Sequence, residues 1–545
     1  MTNELRRCGV LGSLLVLVAF SGCSLGESSG RSSAGSPTDP GDWGNGPSTG
    51  GGFAATGGST ASGGSPGLDG GLGGVGVPPL PDEVEENGAF RAPVATGDYL
   101  WFANPESSRV ALIHTVTLEV QVLTAGFRPT FVAAVPRPGG ESSALVLNLG
   151  SADATWFRVK NGKVASSKFD THEGANRLTV APSGDWAVLW SAKSSGVALD
   201  PTDGLQDITL VDFRAEKPKT YELTVGYRPS EVVFDSAESR VIVVAEHDVN
   251  IVSLDDDVPA VSSWFDLGNS ADRDVAVTPS GTHALVRRKG DSKIEILPLD
   301  GSESTFVELG GPVTDLDLSA DGKRAVAVVR DARRLAVLPL PGIVADPEDF
   351  DVVTVQGELF GSAALTADGK TAALYTNAVQ SDRVVVVDLN EGETYLQSRV
   401  VSVKAPVQSL TTTPDGEHAI GLLGAPTGSN NAGSFVLIPL RAERFPRVVG
   451  TLSRAREVAV ASDYALVTTE NSLSGVHEAH LLRMPSLSVD SVRLSSPPLA
   501  AGILGERGLG YVAQSHSEGR VTILDFEKSA ARTLTGFELA AKVVE

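Results

Sequence analysis

The stretch "LSADGKRAVAVV", residues 318–329, sets a small hydroxyl residue and an Asp-Gly turn directly before a run of β-branched and small apolar residues. Glycine reaches positive φ without steric cost, and aspartate hydrogen-bonds the backbone just beyond itself, so the pair is turn chemistry. The run that follows has the composition of a strand buried on both faces. The same cadence returns as "VAPSGDWAVLW", "VTPSGTHALV", "LTADGKTAALY" and "TTPDGEHAIGLL". The unit is therefore a module, and repeats have to be counted before domains.

The turn before each such strand falls at Gly97, Glu141, Gly184, Glu238, Gly281, Gly322, Gly369, Gly416, Asp463 and Arg507. These markers are spaced by roughly 41 to 54 residues, a period of about 45, the length of a four-stranded propeller blade. Within one unit the pieces "THALVRR", "KIEILPL", "STFVELG" and "VTDLDLS" read as four short strands separated by turn residues. A helical solenoid would need a 3.6-residue period, and a sandwich would not need so many similar units. The expected fold is an all-β propeller of about ten four-stranded blades within residues 82–545, as one wide ring or two smaller rings in tandem.

The first unit opens on what reads as its second strand, "DYLWFAN", with no innermost strand before it, and the chain ends on a spare "GFELAAKVVE". Pairing of residues 537–544 beside 99–102 is expected to close the ring and leave no open edge. The unit "WFANPESSRVALIHTVTLEVQVLTAGFRPTFVAAV", residues 101–135, resembles the YVTN type of bacterial propeller repeat, related to WD40-like units. Gly126, Pro129 and Val132 match its G-x-x-P-x-x-V step, and "GYRPSEVVF" at 226–234 repeats it. The resemblance implies the same fold.

At the amino terminus Arg6 and Arg7 precede an apolar run over 10–20 and then Ser21-Gly22-Cys23. This pattern reads as an export signal over residues 1–22, and a run of about eleven residues is too short to span a bilayer, which takes about 20. The box Phe20-Ser21-Gly22-Cys23 resembles that of bacterial lipoproteins. The resemblance implies lipidation of Cys23, anchorage in a membrane, and, from Ser24, sorting to the outer membrane or cell surface. Cys8 lies inside the signal, so the folded part is expected to carry no thiol, which excludes disulfides, cysteine nucleophiles, Cys-ligated zinc and iron–sulfur clusters.

Residues 23–81 are Gly, Ser, Pro and Thr with almost nothing apolar, too little to offset the entropy of ordering. They read as a disordered tether with an r.m.s. reach of roughly 40 Å. "GPSTG" and "GLGGVG" within it match a hydrolase elbow and a dinucleotide loop only as strings, since each needs a strand before it and a helix after it. Lys plus Arg is 44 against 67 for Asp plus Glu, a net charge of -23, which argues against nucleic acid as a partner and suits a self-repelling, monomeric surface.

The eight histidines scatter over seven units, and the close pair, His477 and His480 in "VHEAH", reads as a solvated turn entering a strand. Asp255, Asp256 and Asp257 lack the glycine and terminal glutamate of a calcium loop, and "DPTDG" at 200–204 is turn chemistry. No metal and no cofactor is expected. One pattern points to a site: the segment before several innermost strands carries arginine, as Arg128, Arg228, Arg273, Arg454 and Arg456. Converging guanidinium groups at one mouth of the channel would grip carboxylate or phosphate oxygens in pairs. Alternatively, each pairs with an acid such as Glu231, Asp272 or Glu457 and fastens neighbouring blades.

The functional expectation is a non-enzymatic, extracytoplasmic binding or scaffolding lipoprotein that presents a rigid disc to a protein, peptide or glycan of the envelope. The alternative is an enzyme at the central channel, of the kind found among lactonase and quinoprotein propellers. A narrower reading, docking to envelope machinery, comes from the resemblance of "SADGK" and "TADGK" to the Asp-Gly turns of the TolB family.

Overall fold

The computed structural model describes residues 93–545 apart from 193–204, 269–271, 391–395, 427, 429–431, 442–443, 472–473, 485, 505–506, 538–542 and 545. The expected signal peptide, Cys23, the tether and the 200–204 turn lie outside the described residues.

Hydroxyl, aspartate and glycine act together in the repeated turn. Ser319 donates to Asp321 Oδ1 at 2.7 Å, the Lys323 amide donates to the same oxygen at 3.0 Å, and the Arg324 amide donates back to Ser319 Oγ at 3.1 Å. Gly322 sits at φ 66°, where a side chain would be strained. Thr366 with Asp368, and Thr413 with Asp415, repeat the arrangement one and two units later. The glycine also permits close approach: a Cβ on Gly322 would meet Pro279 Cδ at 2.8 Å, and one on Gly369 would meet Ser319 Cβ at 2.8 Å. Each turn therefore rests on the turn of the preceding unit, which explains why the motif keeps recurring.

All ten marker turns join the innermost strand of a sheet to its second strand. The ten antiparallel sheets are blades 1 to 10, over 94–124, 129–170, 177–224, 231–266, 273–308, 315–354, 362–402, 407–451, 454–494 and 498–535. Second strands such as Trp186–Trp190 and Thr371–Tyr375 are buried along their whole length, because both faces pack on neighbouring blades. One apolar cluster lies between each consecutive pair of blades, for example Trp101 and Phe157 between blades 1 and 2, and Leu466 with Phe526 between blades 9 and 10. The cycle closes where Leu100 and Ile113 of blade 1 pack on Tyr511 and Ile523 of blade 10. The molecule is thus one wide ring, and each fully buried Leu, Ile or Phe in these seams is worth about 1.5–3 kcal/mol.

Two expectations need correction. Blade 1 has its own innermost strand, Val94–Thr96, which pairs Val94 with Trp101 and Thr96 with Tyr99. Three residues suffice there because Gly97 makes a tight turn and Trp101 Nε1 donates to Thr96 Oγ1 at 2.6 Å. With that edge taken, the carboxyl-terminal strand joins blade 1 on its other side: Val543 and Val544 pair in parallel with Val122 and Leu123 of the outer strand. Phe537 still reaches the expected neighbourhood, its ring 5.2 Å from that of Phe102.

His477 and His480 also depart from expectation, for they do not form a solvated turn. Both lie on the third strand of blade 9, Val476–Arg483, and both are buried rather than solvated. His480 packs its ring 5.2 Å from Phe435 of blade 8 and bonds Ser491 Oγ at 2.8 Å. Neighbouring hydroxyls let an imidazole occupy a seam between blades that the sequence pattern alone assigns to apolar residues.

Candidate binding rim

The linkers that enter the innermost strands of blades 2 and 4 read Gly126-Phe127-Arg128-Pro129 and Gly226-Tyr227-Arg228-Pro229. Proline disfavours the right-handed region for the residue before it, and both arginines sit at left-handed φ, 54° and 55°. The backbone around them is tied down. The Gly150 amide donates to the Phe127 carbonyl at 2.9 Å and the Leu149 amide to that of Arg128 at 3.1 Å. In the second linker the Glu246 amide donates to the Tyr227 carbonyl at 3.0 Å. Each glycine is required, because a Cβ would run into Asp153 and Asn148 at Gly126 and into Asp248 at Gly226.

These two fixed turns hold Phe127 and Tyr227 out into solvent, each next to an arginine. Leu149, Leu452 and Leu499 are exposed on the same rim, on the turns and strand starts that share that end of the blades. Sequence reading found the arginines and missed the aromatics, although "GFRP" and "GYRP" carry both. The repeated aromatic one place after the glycine was the available signal.

The five arginines fall into three places. Arg128 is exposed on blade 2. Arg228 pairs with Glu246 at 3.1 Å and lies 4.9 Å from the centre of the Tyr227 ring. Arg273 donates to the carbonyls of Leu267 at 2.9 Å, Gly268 at 3.0 Å and Glu246, so Arg228 and Arg273 meet on one residue and join blades 4 and 5. Burial pulls the Arg273 guanidinium below its usual range, and the like charge of Arg288 adds to this. On blade 9, Arg456 occupies a bulge and pairs with Glu470 at 3.3 Å, the residue opposite Arg454 in the register. The acids engaged are therefore Glu246 and Glu470, whereas sequence proximity pointed to Glu231, Asp272 and Glu457.

Glu231 and Glu457 stand on the innermost strands of blades 4 and 9, and burial pushes each carboxyl up to about 7, offset at Glu457 by the Ala501 amide. Five blades separate them in a ring of ten, so they do not act as a pair. His172 is buried between Ser191 Oγ at 3.0 Å and Thr209 Oγ1 at 3.1 Å, with its pKa lowered by burial. Toward the other end of the blades, an open depression of about 350 Å³ includes Trp186, Arg214 and Glu238; Arg214 is already held by Asp212 through bonds of 3.0 and 2.7 Å. Among the described residues no group of three or more His, Cys, Asp or Glu is placed to hold a metal ion.

No family model matches the chain, and no curated protein matches it. Solved structures with similarity include hydrazine synthase of Kuenenia stuttgartiensis, 15% identical over 59% of this chain and 100% of that one, with a TM-score of 0.33. Dihydro-heme d1 dehydrogenase NirN is 14% identical over 76% and 77%, with a TM-score of 0.38. Apo AztD from Citrobacter koseri is 14% identical over 61% and 92%, with a TM-score of 0.32.

Proposed function

We propose that this chain is an extracytoplasmic, lipid-anchored propeller that works as a non-enzymatic binding module, engaging an envelope protein or peptide through the rim at Phe127, Arg128, Tyr227 and Arg228. The observation that carries the reading is the pair of locked Gly-aromatic-Arg-Pro turns, which hold two aromatic rings in water beside two guanidinium groups. Exposing large rings on a rigid backbone costs solubility. Aromatic and arginine side chains are also the ones that dominate binding energy at protein interfaces. Arg6, Arg7, the apolar run and Cys23 support export and lipidation.

The test compares the Cys23→Ala protein with the same protein carrying Arg128→Glu and Arg228→Glu, and with Phe127→Ala and Tyr227→Ala, in capture from envelope extracts. Proteins retained by the first and lost from both variants, at unchanged melting temperature, support the rim. Identical capture by all three removes it. The chain supplied with divalent metal and a lactone, or with a quinone cofactor, calcium, an alcohol and an electron acceptor, tests the enzymatic alternative, with turnover as the result that would favour it.

A further inference from the structure

At one register position the ten outer strands differ in a way the fold does not require. Opposite the third residue of the third strand stand Trp264 in blade 4, Phe306 in blade 5, Val352 in blade 6 and Val400 in blade 7. Their exposures are 67%, 53%, 49% and 42%. Blade 8 continues the run with the half-buried Val448 and Val449. At the same position blades 2, 3 and 10 carry the exposed polar residues Lys168, Glu222 and Thr533. Outer strands in water are polar here, as an edge strand should be, except along this one arc.

Blade 1 shows what an apolar residue at this position does. Val122 occupies it and is 0% exposed, and it pairs with Val543 of the carboxyl-terminal strand. The apolar residue and an added segment of chain coincide there. Blades 4 to 7 have the apolar residues and, among the described residues, no fifth strand.

At one end of the arc the charge is one-sided. The turns between third and outer strands of blades 4, 5 and 6 carry Asp255, Asp256, Asp257, Asp300, Glu303, Asp346, Glu348 and Asp349, all exposed, with no Lys or Arg in the same turns. A second copy of this chain docking arc to arc with these ends together would set acid against acid. The tether has Arg31 as its single basic residue and little that is apolar, so it does not complement the arc either.

We propose that the perimeter of blades 4 to 7 is a docking surface for a different protein, one that presents an apolar strip bordered by lysine or arginine. This rests on the reading of the chain as a binding module, but it uses a surface separate from the Arg128 and Arg228 rim. Apolar contact at Trp264 and Phe306 supplies the buried centre, and the acidic turns steer and orient the cationic border.

The probe is a peptide alternating leucine and lysine, with a leucine–glutamate peptide as control, titrated into the full-length chain. Trp264 reports directly once Trp43→Phe removes the tryptophan of the tether, since Trp101, Trp156, Trp186 and Trp190 are buried. The expected result is blue-shifted emission, protection from acrylamide quenching and tighter binding at low salt, with no binding of the acidic peptide. Phe306→Ser, Val352→Thr and Val400→Thr together keep the reporter and should weaken binding at least tenfold. Arg128→Glu with Arg228→Glu should leave it unchanged, so loss of the rim reading and loss of this one are separable. Equal binding of both peptides, unchanged affinity in the triple variant, or self-association by sedimentation that the triple variant abolishes would each overturn the proposal.

Discussion

Tyr511 donates its phenolic hydrogen to the carbonyl oxygen of Pro93 over 2.7 Å, a buried bond between residues 418 apart that ties the last blade to the lead-in of the first. Burial and the charge of Glu457 push the phenol's pKa up, so it stays a donor throughout the ordinary pH range. Tyr511→Phe removes the donor and strands a buried carbonyl, at a cost of about 1–3 kcal/mol. Gly502→Ala should act in the same direction, because its Cβ would press into the Tyr511 ring. The urea midpoint measures both, and a Tyr511→Phe midpoint equal to wild type would show that the seam does not depend on this bond.

What could be read in the sequence follows from how local each constraint is. The ten turns were legible because Ser319, Asp321 and Gly322 satisfy one another within a few residues and the same chemistry recurs at Thr366 and Thr413. The three-residue strand Val94–Thr96 was not, since too few residues lie there to show a period, and it is defined by its pairing with Tyr99–Asn104. The seat of Val543 on Val122 depends on which edge of blade 1 stays open, a non-local fact. At the rim, the arginines were found from their repeated position. Their partners were not, because Glu246 reaches Arg228 from the far end of a hairpin.

Buried groups of opposite sign should pull stability in opposite directions over the same interval of pH. Burial lowers His480 to about 4 from an unfolded value of 6.5. Its contribution is complete above pH 6.5 and is lost as pH falls from 6.5 toward 4, about 3 kcal/mol in all. Glu231 and Glu457, raised from 4.5 to about 7, run the other way: their contribution is complete below pH 4.5 and is lost as pH rises through 7. Because two glutamates oppose one histidine over this interval, urea midpoints should fall from pH 4.5 through 6 to 8, more steeply between 4.5 and 6 in His480→Gln and less steeply in Glu457→Gln. A His480→Gln profile parallel to wild type between pH 4.5 and 6 would refute the assignment.

The rim turn should be intolerant of a single methyl group. Gly226→Ala would drive a Cβ into Asp248 and should cost about 1–3 kcal/mol while displacing Tyr227 and Arg228 from their fixed positions. Gly342→Ala is the control, because its Cβ would meet only Pro339 Cγ at 4.0 Å and alanine favours the short helix Gly342–Ala345. Thermal melts should separate the two, with Gly342→Ala at or above wild type. Partner capture by Gly226→Ala should fall even at temperatures where the protein remains folded.

Ring closure and edge covering are different tasks, and the carboxyl-terminal residues perform both. Phe537 is buried against Phe102 and over Gly519, where an added Cβ would strike its ring, so it belongs to the seam between blades 10 and 1. Phe537→Ala should cost about 3–5 kcal/mol, the usual range for emptying a phenylalanine site in a packed core. Removal of residues 543–545 takes away the parallel pairing at Val122 and Leu123. Its cost should be well below that of Phe537→Ala, while hydrogen exchange at Val122 and Thr124, whose amides face away from the third strand, accelerates. If the truncation destabilises as much as Phe537→Ala, the added edge strand rather than the apolar seam holds the ring shut. If Val122 and Thr124 exchange is unchanged, the pairing does not protect that edge in solution.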